Sequence, residues 1–179
     1  MGVTIMTLAT VSSARLLGDH GIATTVEVHV GAGLPSFTVV GLPDTYCRET
    51  RDRVRSAFLS STLTWPMQRI TINISGQPSR LGANHDVAIA IGIAVATGQL
   101  EQHHTSNITF IGELGLDGTV RGVPGIVALV HDALTPRIVI PASQHATPLA
   151  ETQHIMSGES LTQIVTAEDV NSWLPFFGG

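Results

Sequence analysis

Apolar and polar positions alternate sharply in the first third of the chain. In Thr24–Val30 (TTVEVHV), Val26, Val28 and Val30 fall on one side of an extended backbone, the period of a half-buried strand. Ser36–Val40 reads as the next strand, with Gly31-Ala32-Gly33-Leu34-Pro35 as a hairpin connection. Thr7–Ser13 precedes both as a strand, with a turn across Gly18 to Gly21. A helix is predicted from Asp44, after Pro43, to about Ser60. Its first carboxylate suits the free N–H groups and positive dipole end there, and Arg48–Asp52 and Glu49–Arg53 stand at i,i+4 spacing.

Arg69–Ser75 alternates again as a strand. His85–Thr97 is predicted as a helix with Asn84 as N-cap and Gly98 as its stop. Val87 to Ala96 is apolar all round, so this helix belongs in the core, packed between a sheet and the third helix, with Ile89 and Ile93 on one face. Asn107–Leu114 and Thr119–Val123 flank Asp117-Gly118, a strong hairpin signal. The third helix runs from Pro124 to Leu134 and a buried strand follows at Arg137–Ile140. A short helix at Ala142–Ala150, a strand at His154–Met156 and a last helix at Leu161–Trp173 complete the reading. Strands that pair early, then helices alternating with strands, predict an α+β or mixed α/β sandwich, not a doubly wound fold.

Composition narrows the chemistry. At 179 residues, 43% hydrophobic and 13% charged, the chain has the makings of one well-buried domain. Its longest apolar run falls short of the roughly 20 residues a membrane helix needs, and MGVTIMTLAT lacks the basic start of a secretory signal. The single cysteine, Cys47, fits a reducing compartment, so a cytoplasmic location is expected.

All nine basic residues are arginine; the sequence contains no lysine. A Walker A phosphate loop and a Ser–Lys proteolytic dyad both need that residue. No catalytic residues are therefore assigned, and the chain reads as a non-catalytic module.

Charge is uneven. Residues 1–90 carry seven arginines against six acids, and residues 91–179 carry two against eight. Arg48, Arg51 and Arg55, spaced by three and four, share one helix face. They are candidates for phosphate oxygens of DNA or an acidic neighbouring subunit, against the plainer reading of a solvated face paired with Glu49 and Asp52. Gly82, Ala83 and Asn84, at the start of the buried helix, form a candidate anion site, against the plainer reading of a capped helix start. His103-His104, His85 with Asp86, and His145 lack helical i,i+4 spacing and read as surface histidines, so no metal site is assigned. Cys47, beside Arg48, reads as an incidental thiol.

Several blocks together are similar to a known family. GLPSFTVVGLPDTYCRETRDRVRSAF at 33–58, RITINIS at 69–75, HDVAIAIGIAVATGQL at 85–100, FIGELGLDGTVRGVPGI at 110–126 and RIVIP at 137–141 appear in order. They resemble the N-terminal domain of the ComM/YifB family of magnesium-chelatase-like AAA+ proteins, over roughly residues 8–170. The resemblance implies a Lon-protease-like fold, shared with a ribosomal protein S-five-like superfold. It implies a domain over 1–174, a linker or tail from 175 to 179, and a parent protein whose AAA+ motor, absent from this chain, forms a hexamer. ATP and magnesium are then expected only on that motor, and the chain itself is expected to need no cofactor. In ComM the family is associated with DNA branch migration during natural transformation, so DNA is an expected partner, bound weakly by this domain alone, and a membrane is not. Alignment on Thr97-Gly98 and Gly112-Glu113 puts the Lon nucleophile position near Ala83–Asn84 and the Lon lysine position on or beside Val127. Both chemical groups are missing. The loop Gly76–Gly82 departs from the Lys–Glu-containing segment more usual in the family. The alternative is a divergent Lon-like peptidase or another enzyme on the same fold.

Overall fold

The computed structural model describes residues 7–76, 82–145 and 154–166. Among the described residues nine strands are present: β1 (Thr7–Leu17), β2 (His20–Gly31), β3 (Ser36–Val39), β4 (Arg69–Ile74), β5 (Ile108–Phe110), β6 (Glu113–Leu114), β7 (Val120–Arg121), β8 (Arg137–Pro141) and β9 (His154–Gly158). The α-helices are α1 (Asp44–Leu59), α2 (Asp86–Ala96), α3 (Ile126–His131) and α4 (Leu161–Thr166). Seven strands form one mixed sheet in the order β3-β4-β2-β1-β5-β8-β9, and β6 and β7 form a separate hairpin. The expected mixed α/β sandwich is what the chain builds.

The sheet is antiparallel at β1–β2 and β2–β4 and parallel at its other joins. β1 and β2 are longer than the alternation alone suggested and meet in a tight turn at Gly18-Asp19. The segment 31–35 is not a hairpin connection. β4 lies between β2 and β3, which puts β3 on the sheet edge, parallel to β4. The cause is cross-strand matching: Val30, Val28 and Val26 of β2 stand opposite Ile70, Ile72 and Ile74 of β4, all buried. Opposed β-branched pairs of that kind are the unit of sheet stabilisation.

Side-chain alternation divides the core between the two faces of the sheet. Ala9, Val11, Val28, Ile72, Phe110 and Val139 share one cluster with α1, α2 and α4. Ala14, Ile138 and Ile140 point the other way, to Leu129 and Val130 of α3. Thus α2 lies between the sheet and α1, and the third helix is not its neighbour but sits across the sheet. Ten of the eleven residues of α2 are buried, as its uniformly apolar sequence demands. A glycine at its centre has a steric reason, since a Cβ on Gly92 would sit 2.5 Å from Val28 Cγ2.

Several boundaries move. Asn107–Leu114 is not one strand. After Phe110 the chain leaves the sheet, and Gly112 bridges to the start of α2, its N–H donating to the Asn84 carbonyl and its carbonyl accepting from Val87 N–H. The hairpin at Asp117-Gly118 forms with only two residues per strand. The third helix begins at Ile126 rather than Pro124, because Gly125 takes a left-handed conformation at φ 71° that ends the helical path. Ala142–Gln144 makes a single 3-10 turn; the rest of the helix expected to Ala150 lies outside the described residues. So do the end of the last helix, the linker and the boundary at 174. Among the described residues, no helix is long and apolar enough to cross a membrane.

Candidate functional site

α1 presents three faces. Cys47, Thr50, Val54, Ala57 and Phe58 enter the core. Its N-cap is Pro43 with no side-chain capping bond, so Asp44 serves the first turn through charge rather than by capping. The expected i,i+4 pairs do not form. Arg51 binds its neighbour Asp52 at 2.7 Å, and Arg53 turns inward to Asp86.

That inward pair dominates one end of the molecule. Arg53 donates from Nε to Asp86 Oδ2 at 2.7 Å and from its terminal nitrogen to Oδ1 at 3.1 Å, and Asp86 Oδ2 also accepts the Leu114 N–H at 3.1 Å. Asp86 is fully buried, and burial pushes its carboxyl up to about 6 even though Arg53 pulls it down. Burial disfavours the charged guanidinium of Arg53, but the hydrogen bond and attraction to Asp86, with Glu113 and Glu49 nearby, together hold it protonated. Next in the chain, His85 is buried rather than on the surface. Its Nε2 pairs with Thr24 Oγ1 at 3.0 Å, and burial lowers its pKa to about 4 although the Gly82 backbone favours the protonated ring. The sequence reading placed His85, with Asp86, on the surface, and both are buried. The signal was available: an ionisable dipeptide leading directly into an apolar helix is drawn inside with it.

Beside the pair opens a cleft of about 690 Å³, whose walls include Arg15, Tyr46, Glu49, Arg53, Asn84 and Glu113. Gly82 and Ala83 lie on the same wall, so all three residues of the candidate anion site face the cleft. Asn84 is not the N-cap of α2. It sits in a 3-10 turn over Ala83–His85, and its side-chain amide donates to the Ala14 carbonyl, tying α2 to β1. The acid in the first turn of α2 is Asp86, so that helix end already has a carboxylate beside its dipole. Arg15 reaches the Gly76 carbonyl at 3.3 Å, and its buried Nε has no hydrogen-bond partner among the described residues. Val123, Pro124 and Leu129 come to the same cleft from the α3 side, while Val127 is half exposed and not among the lining residues.

The arginine strip is on the outside. Arg48 and Arg55 are exposed and make no ion pair or hydrogen bond among the described residues. Arg51 and Arg55 flank a smaller hollow of about 190 Å³ with Phe37, Trp65 and Met67; Arg48 is not part of it. Trp65 stacks on Phe37 at 6.3 Å and meets Phe58 edge-on at 5.4 Å. The strip therefore borders an aromatic surface on the edge-strand side of the sheet, which the arginine spacing alone did not reveal. Cys47 is buried, its thiol 3.7 Å from the carbonyls of Val39 and Leu42, in keeping with a packing role.

The family model for subunit ChlI of Mg-chelatase matches residues 26–144, which include the second half of β2, α1, α2, α3 and the part of the cleft wall that α1 and the start of α2 supply. The chain belongs to the ChlI family. It is 37% identical over 166 residues to competence protein ComM of Haemophilus influenzae, covering 89% of this chain and 32% of that protein. To YifB of Escherichia coli it is 41% identical over 132 residues, covering 72% of this chain and 26% of the relative. A Mycobacterium tuberculosis protein, Rv2897c, is 32% identical over 173 residues, covering 94% of this chain and 33% of the relative. This ComM/YifB-type member of the ChlI family thus spans between about a quarter and a third of the length of the curated relatives it matches.

Proposed function

We propose that the chain is a non-catalytic accessory domain of a larger ComM-type AAA+ protein, assisting hexamer assembly or the engagement of DNA. One observation carries this reading. The wall of the cleft holds Ala83 and Asn84, to which the resemblance to Lon assigns the nucleophile position, Asn84 is already bound to the Ala14 carbonyl, and the sequence supplies no lysine. The cleft arginine nearest α2 is likewise occupied, since Arg53 binds Asp86. On this reading the cleft is a structural joint, and ATP and magnesium belong to a motor elsewhere in the parent protein. DNA processing would be the pathway and the cytoplasm its place.

The second reading, a divergent peptidase or other enzyme, draws on Glu49, Glu113 and Arg15 around the same cleft. The two separate cleanly. The pure domain, incubated with unfolded casein and separately with ATP, is expected to turn over neither. Reproducible turnover that disappears in a folded Glu113→Gln variant would establish the enzyme reading and end the accessory one.

A further inference from the structure

At the far end of α2 from the cleft, the chain makes a single 3-10 turn over Gln102–His104 before entering β5. The turn draws three ligating groups together. One ligand atom each from Glu101, His103 and His104 lie within 4.8 Å of one another. Glu101 Oε2 is 3.0 Å from His103 Nδ1, and the two imidazoles meet edge to face with centroids 4.1 Å apart. The His104 ring makes no hydrogen bond to protein among the described residues.

The turn is anchored rather than loose. Gln102 Nε2 donates to the Thr10 carbonyl of β1, and the Gln102 carbonyl accepts the hydroxyls of Thr105 and Ser106. Thr105 is buried on one side of the turn, and Leu100 packs on the core on the other. Ligands held on a fixed backbone lose little freedom when an ion arrives, which is what preorganisation contributes to affinity.

We propose that Glu101, His103 and His104 form a binding site for a divalent ion of the zinc class. Two imidazoles and a carboxylate suit zinc, copper or nickel, and lack the many oxygens that calcium or magnesium requires. Zinc–ligand bonds of about 2.1 Å place tetrahedral ligand atoms roughly 3.4 Å apart. Glu101 Oε2 and His103 Nδ1 have to part slightly from 3.0 Å, and side-chain rotation brings the group, now within 4.8 Å, to that spacing. Three ligands leave a coordination position open, for water or for a group from another chain.

The test uses the full chain without a polyhistidine tag, titrated with zinc against a chromophoric chelator. One saturable ion per chain is expected, weakened about tenfold or more by His103→Ala and by His104→Ala and untouched by His131→Ala. Excess magnesium should not displace it. Cobalt in place of zinc should give visible absorption bands typical of nitrogen and oxygen ligation, and zinc should shift the ring nitrogen resonances of His103 and His104 in the unaltered protein. The last measurement needs no variant, so a misfolded substitution does not blunt the test. Absence of saturable binding, or binding that neither histidine replacement weakens and that leaves those resonances unmoved, overturns the proposal.

Discussion

Arg53 and Asp86 join α1 to α2 through two hydrogen bonds of 2.7 and 3.1 Å, with Asp86 wholly shielded from solvent and Arg53 about a quarter exposed. Removing one partner of such a pair leaves a buried charge uncompensated, at a cost of about 3 kcal/mol or more. Arg53→Ala is therefore expected to destabilise the domain by that order at neutral pH. The sign with pH follows from Asp86. Its folded-state pKa is raised by burial and rises further once Arg53 is gone, so the folded variant takes up a proton that the unfolded chain does not. The deficit of Arg53→Ala should thus shrink as pH falls from the variant's further-raised Asp86 value toward about 6, and level off below that, where the buried carboxyl is neutral in both proteins. Urea unfolding of parent and variant across that range checks both magnitude and direction; a deficit that grows on acidification would mean the carboxylate has another partner.

His85 makes the opposite contribution. Its pKa is lowered to about 4 in the folded state, so below the ordinary histidine value of 6.5 the unfolded chain binds the proton that the folded chain refuses. Stability from this group is complete above about 6.5 and is lost as pH falls toward about 4. Near pH 5 the loss amounts to about 2 kcal/mol. In the parent it is partly offset by Asp86, whose raised pKa favours the folded state over much of the same window. His85→Gln removes one side of that balance. The variant is expected to gain stability on mild acidification relative to the parent. Equal pH profiles for the two proteins would show that His85 does not titrate with folding.

Packing of α2 supplies a test independent of charge. Gly92→Ala improves helix propensity by about 1 kcal/mol in an exposed helix. Here the new methyl would lie 2.5 Å from Val28 Cγ2, a contact that cannot be made without displacement. The variant should lose about 1–3 kcal/mol, as overpacking of a dense core does. Val28→Ala in the same chain should recover part of that loss, giving a favourable coupling between the two sites. Ile93→Asp, fully buried on the same helix, should unfold the domain outright by placing an unpaired carboxylate in the core. A melting profile unchanged by Ile93→Asp would contradict the position of α2.

How far the sequence was legible depended on where the deciding contacts lie. Local patterns located β2, β4, α1, α2 and β8, because alternation and apolar runs report which side of an element is buried. The strand order did not follow from adjacency. The pairing of Val26, Val28 and Val30 with Ile74, Ile72 and Ile70 is a match between segments some forty residues apart, and it displaces β3 from the hairpin that a five-residue connection suggests. The site showed the same division. The three-and-four spacing singled out Arg48, Arg51 and Arg55, of which Arg48 and Arg55 are exposed, whereas Arg53, between them, found its partner 33 residues away. Likewise, Glu101 escaped notice beside His103 and His104 because helical spacing was the pattern sought, and the residues meet on a 3-10 turn instead.

The proposed engagement of DNA can be tested at the arginine strip. Arg48 and Arg55 are exposed and free of ion pairs among the described residues, and Arg51, although bound to Asp52, flanks the same hollow as Arg55 beside Phe37 and Trp65. Guanidinium groups suit phosphate oxygens, and contacts of that kind ignore base sequence and weaken steeply with salt. A domain of net charge −5 should hold DNA weakly by itself, so affinity would come from several copies acting together on a ring. The expected outcome has two parts. The isolated domain should show weak binding that disappears as salt rises. In a full-length parent protein, replacing Arg48, Arg51 and Arg55 by Gln should weaken DNA binding while leaving melting temperature and ATP hydrolysis without DNA unchanged. Replacing Arg53 instead should lower stability first, because that arginine serves the α1–α2 joint. If the triple variant binds DNA as tightly as its parent at low salt but assembles less well, the strip is a subunit contact, and the role of the domain is assembly rather than engagement of DNA.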